Sequence, residues 1–214
     1  MKDFKVYLFD FDGTIMNTYP SLIGVYDDAF KEIGERCSAE QASIYMHESL
    51  LETCERRHVE GKRRELFYEA IARSLNSEKN IQDIVIFPDT IPTLEALEKK
   101  GKGIGLVSGN TEDHIHLVLK TLGLDKYFKT VVGFRPGLKG KPAGDSVLAA
   151  ISSFPNVKPS EAIYVGDSLQ DPLSAINAGS FGVLLERNKE YSSYTGEKIE
   201  SLLELIPLLR SNKV

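Results

Sequence analysis

Asp10-Phe11-Asp12-Gly13-Thr14 places two carboxylates, two residues apart, at the C-terminal end of the apolar run Val6-Tyr7-Leu8-Phe9. Alternate residues of an extended chain share a face. A buried strand would therefore deliver both acids to one side of the loop that follows it. Two adjacent carboxylates repel each other unless a cation sits between them. Gly13 allows a sharp turn, and Thr14 adds a hydroxyl. These residue types equip a site with an aspartyl nucleophile, a nearby proton carrier and a magnesium ion. An Asx-rich turn closing a strand is the plainer use of the same residues.

Three later segments extend the pattern. The apolar run Gly103-Ile104-Gly105-Leu106-Val107 ends in Ser108-Gly109-Asn110-Thr111. Lys141-Pro142 follows the glycine-rich turn Gly137-Leu138-Lys139-Gly140. Ala162-Ile163-Tyr164-Val165 runs into Gly166-Asp167-Ser168-Leu169-Gln170-Asp171. Acid pair, hydroxyl, lysine and second acid pair, in that order, resemble the four motifs of the haloacid dehalogenase-like hydrolase superfamily. The resemblance runs from Lys5 to about Leu185.

The resemblance implies a role for each residue. Asp10 would attack phosphorus in line, giving an aspartyl phosphate that water then cleaves. Asp12 would act as general acid toward the leaving alcohol and then as general base. In the family its backbone carbonyl also touches the metal. Asp167 resembles the metal-binding acid. Magnesium favours oxygen ligands, so the expected metal set is Asp10, Asp12, Asp167 and Asp171. Asp171 precedes Pro172, so it also fits an N-cap with proline at the first helical position. Thr14, Ser108, Gly109, Asn110 and Lys141 make up the expected phosphate site. Ser108 would offer its hydroxyl, and Gly109 and Asn110 their N–H groups at a helix start. Lys141 would neutralise phosphoryl oxygens and keep Asp10 ionised, while Lys139 is expected on the solvated surface. Two departures from the family stand out. Ser-Gly-Asn replaces the commoner Thr-Asn-Lys of phosphoglycolate phosphatases, and Gly144 replaces the second proline of Lys-Pro-x-Pro. The first keeps the hydroxyl, and the second is expected to matter little.

Elements alternating in type must carry these motifs. Helical spacing over Glu112–Leu122 stops at Gly123, and Thr130–Gly133 reads as a strand. Helices are expected over Asp145–Phe154 and Pro172–Ala178, a strand over Gly182–Leu185, and a closing helix over Glu197–Leu209. This alternation predicts an α/β fold, a Rossmann-like parallel sheet with helices on both faces. Ligands of such sheets bind beyond the C-terminal strand ends, at a topological switch point. Asp10, Ser108 and Asp167 share that edge. From Asn17 to Phe87 the alternation stops. Leu22, Val25, Tyr26, Ala29, Phe30 and Ile33 keep helical spacing, and no strand stands out. The expected organisation is a core of residues 1–16 and 88–214 with an all-α insertion over 17–87. That insertion resembles the cap of the phosphoglycolate phosphatase-like branch.

Composition narrows the classes. The chain has 214 residues, 42% of them hydrophobic, enough for a sizeable core. Its formal charge of −5 gives no general affinity for nucleic acid. No apolar run approaches the roughly 20 residues that cross a bilayer. Met1–Lys5 lacks the apolar stretch of a signal peptide. Cys37 and Cys54 make no disulfide framework, which fits a cytoplasmic protein with reduced thiols. His47, Cys54 and His58 could share a helical face, but three ligands lack the fourth that structural zinc requires. His114 and His116, two apart on a helix, diverge. Arg56, Arg57, Lys62, Arg63 and Arg64 alternate with glutamates, as on a salt-bridged surface. The alternative is that one arginine reaches an anionic substrate.

The expectation is a Mg2+-dependent phosphatase, monomeric or homodimeric, acting on a small phosphorylated molecule such as phosphoglycolate. A sugar phosphomutase resembling β-phosphoglucomutase, or a pyrophosphatase or nucleotidase, would use the same residues. A dehalogenase has no use for Asp12. Intact Asp10, Asp12, Lys141 and Asp167 argue against a non-catalytic phosphoprotein-binding module.

Overall fold

Val6–Phe9 (β1) is buried at all four residues, as a strand covered on both faces must be. A computed structural model describes residues 3–46, 50–187 and 191–206. After β1 come the short strand Met16–Asn17 (β2) and five helices: Tyr19–Glu32 (α1), Ala39–Tyr45 (α2), Leu50–Arg56 (α3), Gly61–Leu75 (α4) and Glu78–Gln82 (α5). Val85–Ile86 (β3), Thr90–Lys99 (α6), Gly103–Thr111 (β4), Glu112–Thr121 (α7) and Thr130–Phe134 (β5) follow. The chain continues through Asp145–Ser152 (α8), Ala162–Gly166 (β6), Gln170–Asn177 (α9), Phe181–Leu185 (β7) and Lys198–Ile199 (β8). A 3-10 turn at Leu202–Leu205 is the last described element.

Two compact units result. One holds the chain up to Met16 and from Ile86 onward, and the other is Asn17–Val85. In the first unit six parallel strands stand in the order β5-β4-β1-β6-β7-β8. From β1 the chain moves to one side of the sheet (β4, β5) and then to the other (β6, β7, β8). The order therefore reverses at β1, the place where such sheets bind ligands. Val6, Leu8, Val107, Val132 and Tyr164 bury one face against Val147, Ala150 and Ile151 of α8 and Ala175 of α9. Tyr7 and Phe9 point to the opposite face. Helices α6 and α7 pack against β4 and carry the buried Leu94, Leu97, Ile115, Val118 and Leu119.

The second unit is helical throughout its interior. Val25, Tyr26, Ala29 and Phe30 of α1 meet Phe67, Ala70 and Ile71 of α4 around Tyr45 and Cys54. Cys54 is thus part of an apolar core, and His47 lies outside the described residues. Two residues of the basic cluster, Arg57 and Arg63, have their partners here. Arg57 lies 4.3 Å from the centroid of the Phe30 ring and donates to Glu35, to the Tyr45 hydroxyl and to the Arg36 carbonyl. Arg63 donates to the other Glu35 oxygen and to the Ile33 carbonyl. Burial pushes the Glu35 carboxyl up, but the two arginines overcome it and hold it below its ordinary range. Both guanidiniums thus bind the unit to itself, which is the surface role weighed above.

The closing helix expected over Glu197–Leu209 does not form within the described residues. Lys198 and Ile199 pair with Leu184 and Leu185 as an edge strand. Ser201 then caps the 3-10 turn, accepting from the Leu203 N–H, while Glu204 reaches back to the Ser201 N–H. Ile199, Leu202 and Leu205 are spaced by three. That spacing imitates one face of a helix but is met here by a strand end and a 3-10 turn, whose period is three.

Candidate active site

Pairing in register carries three strand ends to one edge. Phe9 pairs with Leu106 on one side and with Val165 on the other. Asp10 leaves the sheet beside Gly166, the last residue of β6, and the Asp10 N–H donates to the Val165 carbonyl at 2.9 Å. Asp10 is 6% exposed and Asp171 is fully buried. One carboxylate oxygen from each of Asp10, Asp167 and Asp171 lies within 4.8 Å of the others. Among the described residues no other group of three His, Cys, Asp or Glu side chains could hold a metal.

Lys141 enters this group from the loop between β5 and α8. Its ammonium lies 2.7 Å from Asp10 Oδ1 and 2.6 Å from Asp171 Oδ1. The Asn177 amide donates to the Pro142 carbonyl at 2.9 Å and anchors the loop. Gly144 sits where α8 comes close to the end of α9. A Cβ on it would press into the Asn177–Ala178 backbone, so glycine lets α8 approach α9 behind the lysine.

Asp171 is not the N-cap of α9. Helical geometry already begins at Gln170. The Asp171 carboxylate turns inward instead, accepting from the Tyr164 hydroxyl at 2.9 Å and the Ser168 N–H at 3.0 Å. A Cβ on Gly166 would overlap that carboxyl, and one on Gly13 would overlap the carboxyl of Asp167. Glycine at both positions lets the acids come this close to the backbone. Thr14 is fully buried and donates from its hydroxyl to Asp167 Oδ1 at 3.3 Å.

Asp12 stands apart from the three-carboxylate group. The Asn110 side-chain amide donates to its Oδ2 at 2.7 Å. The side-chain oxygens grouped closely enough to hold one ion are therefore those of Asp10, Asp167 and Asp171, and the contact expected of Asp12 is through its backbone carbonyl. The helix start expected at Gly109 and Asn110 lies further along the chain. Ser108, Gly109 and Asn110 continue β4 in extended form, and α7 starts only at Glu112 with Thr111 as its N-cap. The Asn110 N–H is used by the Ser108 hydroxyl at 3.1 Å, and Gly109 is solvent-exposed. Spacing alone also passed over His114. It is 7% exposed, and burial holds its imidazole below the ordinary value, against an opposing pull from Asp12. His116 is exposed.

The electrostatics show a deficit of positive charge. Burial pushes the Asp10 carboxyl well above its ordinary range; Lys141 opposes this, and Asp171, Asp167 and Asp12 add to it. Burial, then Asp171, raises Asp167 to about 6. Burial would depress the Lys141 ammonium, but Asp10, Tyr164 and Asp171 outweigh it and keep it charged. One ammonium among four carboxylates leaves room for a divalent cation, and oxygen donors alone suit a hard one. The residues present fit magnesium.

Comparison with known proteins agrees with the geometry. The sequence profile of the haloacid dehalogenase-like hydrolases matches residues 7–184. The chain is 30% identical over 179 residues to pyrophosphatase PpaX of Bacillus velezensis, covering 81% of this chain and 79% of the relative. It is 27% identical over 227 aligned positions to phosphoglycolate phosphatase of Vibrio parahaemolyticus, covering 96% and 97%. A solved structure of a HAD phosphatase from Thermococcus onnurineus superposes with a TM-score of 0.73 at 30% identity, covering 100% of both chains. With its acid pairs on the edge where β1 and β6 end and its lysine between them, the chain belongs to the haloacid dehalogenase-like hydrolases, among the phosphatases of that family.

Proposed function

We propose that the chain hydrolyses a small phosphomonoester through a phosphoenzyme formed on Asp10, with magnesium bound by Asp10, Asp167 and Asp171 and by the Asp12 carbonyl. The observation that supports this best is the Asp10–Lys141–Asp171 contact beside Asp167. The Asp10 carboxylate attacks phosphorus as the ester oxygen departs. Asp12, with Oδ2 held by Asn110, gives a proton to the leaving oxygen and later takes one from the hydrolytic water. Lys141 and the Ser108 hydroxyl meet the non-bridging phosphoryl oxygens. When bound, magnesium would neutralise charge shared by the carboxylates and the phosphoryl group. Asn17–Val85 would act as the cap that chooses the leaving group.

The test is phosphate release from phosphoglycolate, pyrophosphate, sugar phosphates and nucleotides, with magnesium or after rigorous chelation. Two relatives carry pyrophosphatase and phosphoglycolate phosphatase names, so both compounds belong in the panel. Turnover should need magnesium, recover poorly with calcium and vanish in Asp10→Asn. Turnover by Asp10→Asn within tenfold of the unsubstituted chain would remove Asp10 as nucleophile. Return of phosphate to a sugar without net release would favour the mutase.

A further inference from the structure

Asp89 occupies the N-cap position of α6, yet its side chain caps nothing there. Asp89 Oδ2 instead accepts from Arg187 Nη1 at 2.9 Å, the Ser201 hydroxyl at 2.7 Å and the Leu202 N–H at 2.9 Å, and Oδ1 accepts from Arg187 Nη2 at 3.0 Å. Arg187 Nη2 also donates to the Thr14 carbonyl at 2.8 Å, and the guanidinium lies 3.9 Å from the centroid of the Phe87 ring. Arg187 Nε is buried without a hydrogen-bond partner. Its acceptors and the ring beneath it, rather than full solvation, therefore fix where the side chain sits.

The loop that Arg187 grips is the one bearing the acid pair. Ile15 and Met16 both donate to the Phe11 carbonyl, at 3.2 and 3.0 Å, and Gly13 donates to the Met16 carbonyl at 2.8 Å. The Ile15 carbonyl accepts from the Thr90 hydroxyl at 2.9 Å. On its other side the loop touches the carboxylate of Asp167 through the Thr14 hydroxyl and the bare Cα of Gly13. The loop thus has Arg187 and Thr90 on one side and a metal-site acid on the other.

We infer that Arg187 is a positioning residue for the reaction, clamping the Thr14 carbonyl to Asp89 so that the Gly13–Met16 loop holds Asp167 in register with Asp10. The role in catalysis rests on the proposed phosphatase reading; the clamping of the loop does not. Lysine cannot replace the fork, because a point charge cannot serve Asp89 and the Thr14 carbonyl with the same planar geometry.

Arg187→Lys and Arg187→Ala are compared with the unsubstituted chain in two measurements. Amide hydrogen exchange, read by mass spectrometry over residues 11–17, needs no activity. Exchange there should quicken about tenfold or more in both variants while β1, β4 and β6 keep their protection. Turnover on the best substrate found should show kcat lower by about tenfold to a hundredfold with KM nearly unchanged. Millimolar guanidinium should restore part of the kcat of Arg187→Ala. If Arg187→Ala does not fold, Arg187→Lys decides. Unchanged exchange over 11–17, loss of protection spread evenly over the sheet, or an effect on KM alone would overturn the assignment. If the unsubstituted chain releases phosphate from nothing in the panel, the proposed function fails, and the exchange comparison still decides the clamp.

Discussion

Lys141→Met should separate the charge of the lysine from its bulk. Methionine nearly matches the length of the lysine stem and cannot donate. The ammonium has contacts of 2.7 and 2.6 Å to Asp10 and Asp171, and its side chain is 16% exposed. At an effective dielectric constant of about 20, each contact corresponds to roughly 6 kcal/mol of Coulomb attraction. Desolvation of three charged groups consumes most of that, so breaking a buried pair costs about 3–5 kcal/mol. In divalent-free buffer a chain of this size should then melt lower by about 10 °C. Magnesium at 100 times its Kd restores only about 2.7 kcal/mol, so stability recovers in part. Catalysis loses more. One donor aimed at developing phosphoryl charge is worth about 3–4 kcal/mol, so kcat should fall by about 10²–10³. The fall should be equal across the substrate panel, because every substrate shares the phosphoryl group. Melting curves with and without magnesium, and kcat on three unrelated phosphate esters, make the assay. A loss below tenfold, or one confined to a single substrate, would refute the placement of the phosphate beside Lys141.

Arg57→Ala removes the Phe30 stack and the bonds to Glu35 and Tyr45. It should lower stability by about 1–3 kcal/mol and change kcat/KM equally for all substrates; a substrate-selective change would return this arginine to the binding site. Stability in EDTA should fall as pH rises from about 4 to about 6. Asp167 rises from 3.8 to about 6 and Asp10 is raised as well, so the folded chain binds more protons than the unfolded one in that window, and the share of the loss that belongs to Asp167 is about 3 kcal/mol. Glu35 and Asp89, held below their ordinary range, act in the opposite sense below that window and at its lower end. Magnesium should therefore raise Tm more at pH 7.5 than at pH 5, and Asp167→Asn should reduce the decline, leaving the part that belongs to Asp10. A decline that Asp167→Asn leaves intact would assign it to other groups.

The sheet and the acid pairs were legible because each depends on local signals. Val6–Phe9 and Ala162–Val165 are short apolar runs, and each is followed within four positions by at least one acid and a glycine. Elsewhere side chains found partners that local spacing does not encode. For Asp171 the cap before Pro172 is only the alternative to the metal role, and Tyr164 and Lys141 draw its carboxylate inward, toward that role. Asn110 looked useful for its N–H, yet its amide reaches an aspartate 98 positions away. The close approach of the end of α9 to Gly144 is likewise invisible in local spacing. Asp89 and Arg187 are likewise 98 positions apart, and neither belongs to a motif that would have paired them.

The placing of β1 at the centre of the sheet has a consequence for synthesis. Val6 pairs with Gly103, 97 positions later, and with Ala162, 156 positions later. At roughly 5–20 residues per second, a ribosome needs about 8–30 s to pass from Val6 to Ala162, the later of its two partners. For that time an apolar strand has emerged with an unpaired edge, an opening for aggregation. The packing of Asn17–Val85 closes within its own sequence, so that unit can assemble while β1 waits. The same arrangement that gathers acids from distant segments onto one edge makes the nascent chain dependent on slow, long-range pairing. Chaperone demand should therefore centre on Val6–Phe9 rather than on the helices that follow it.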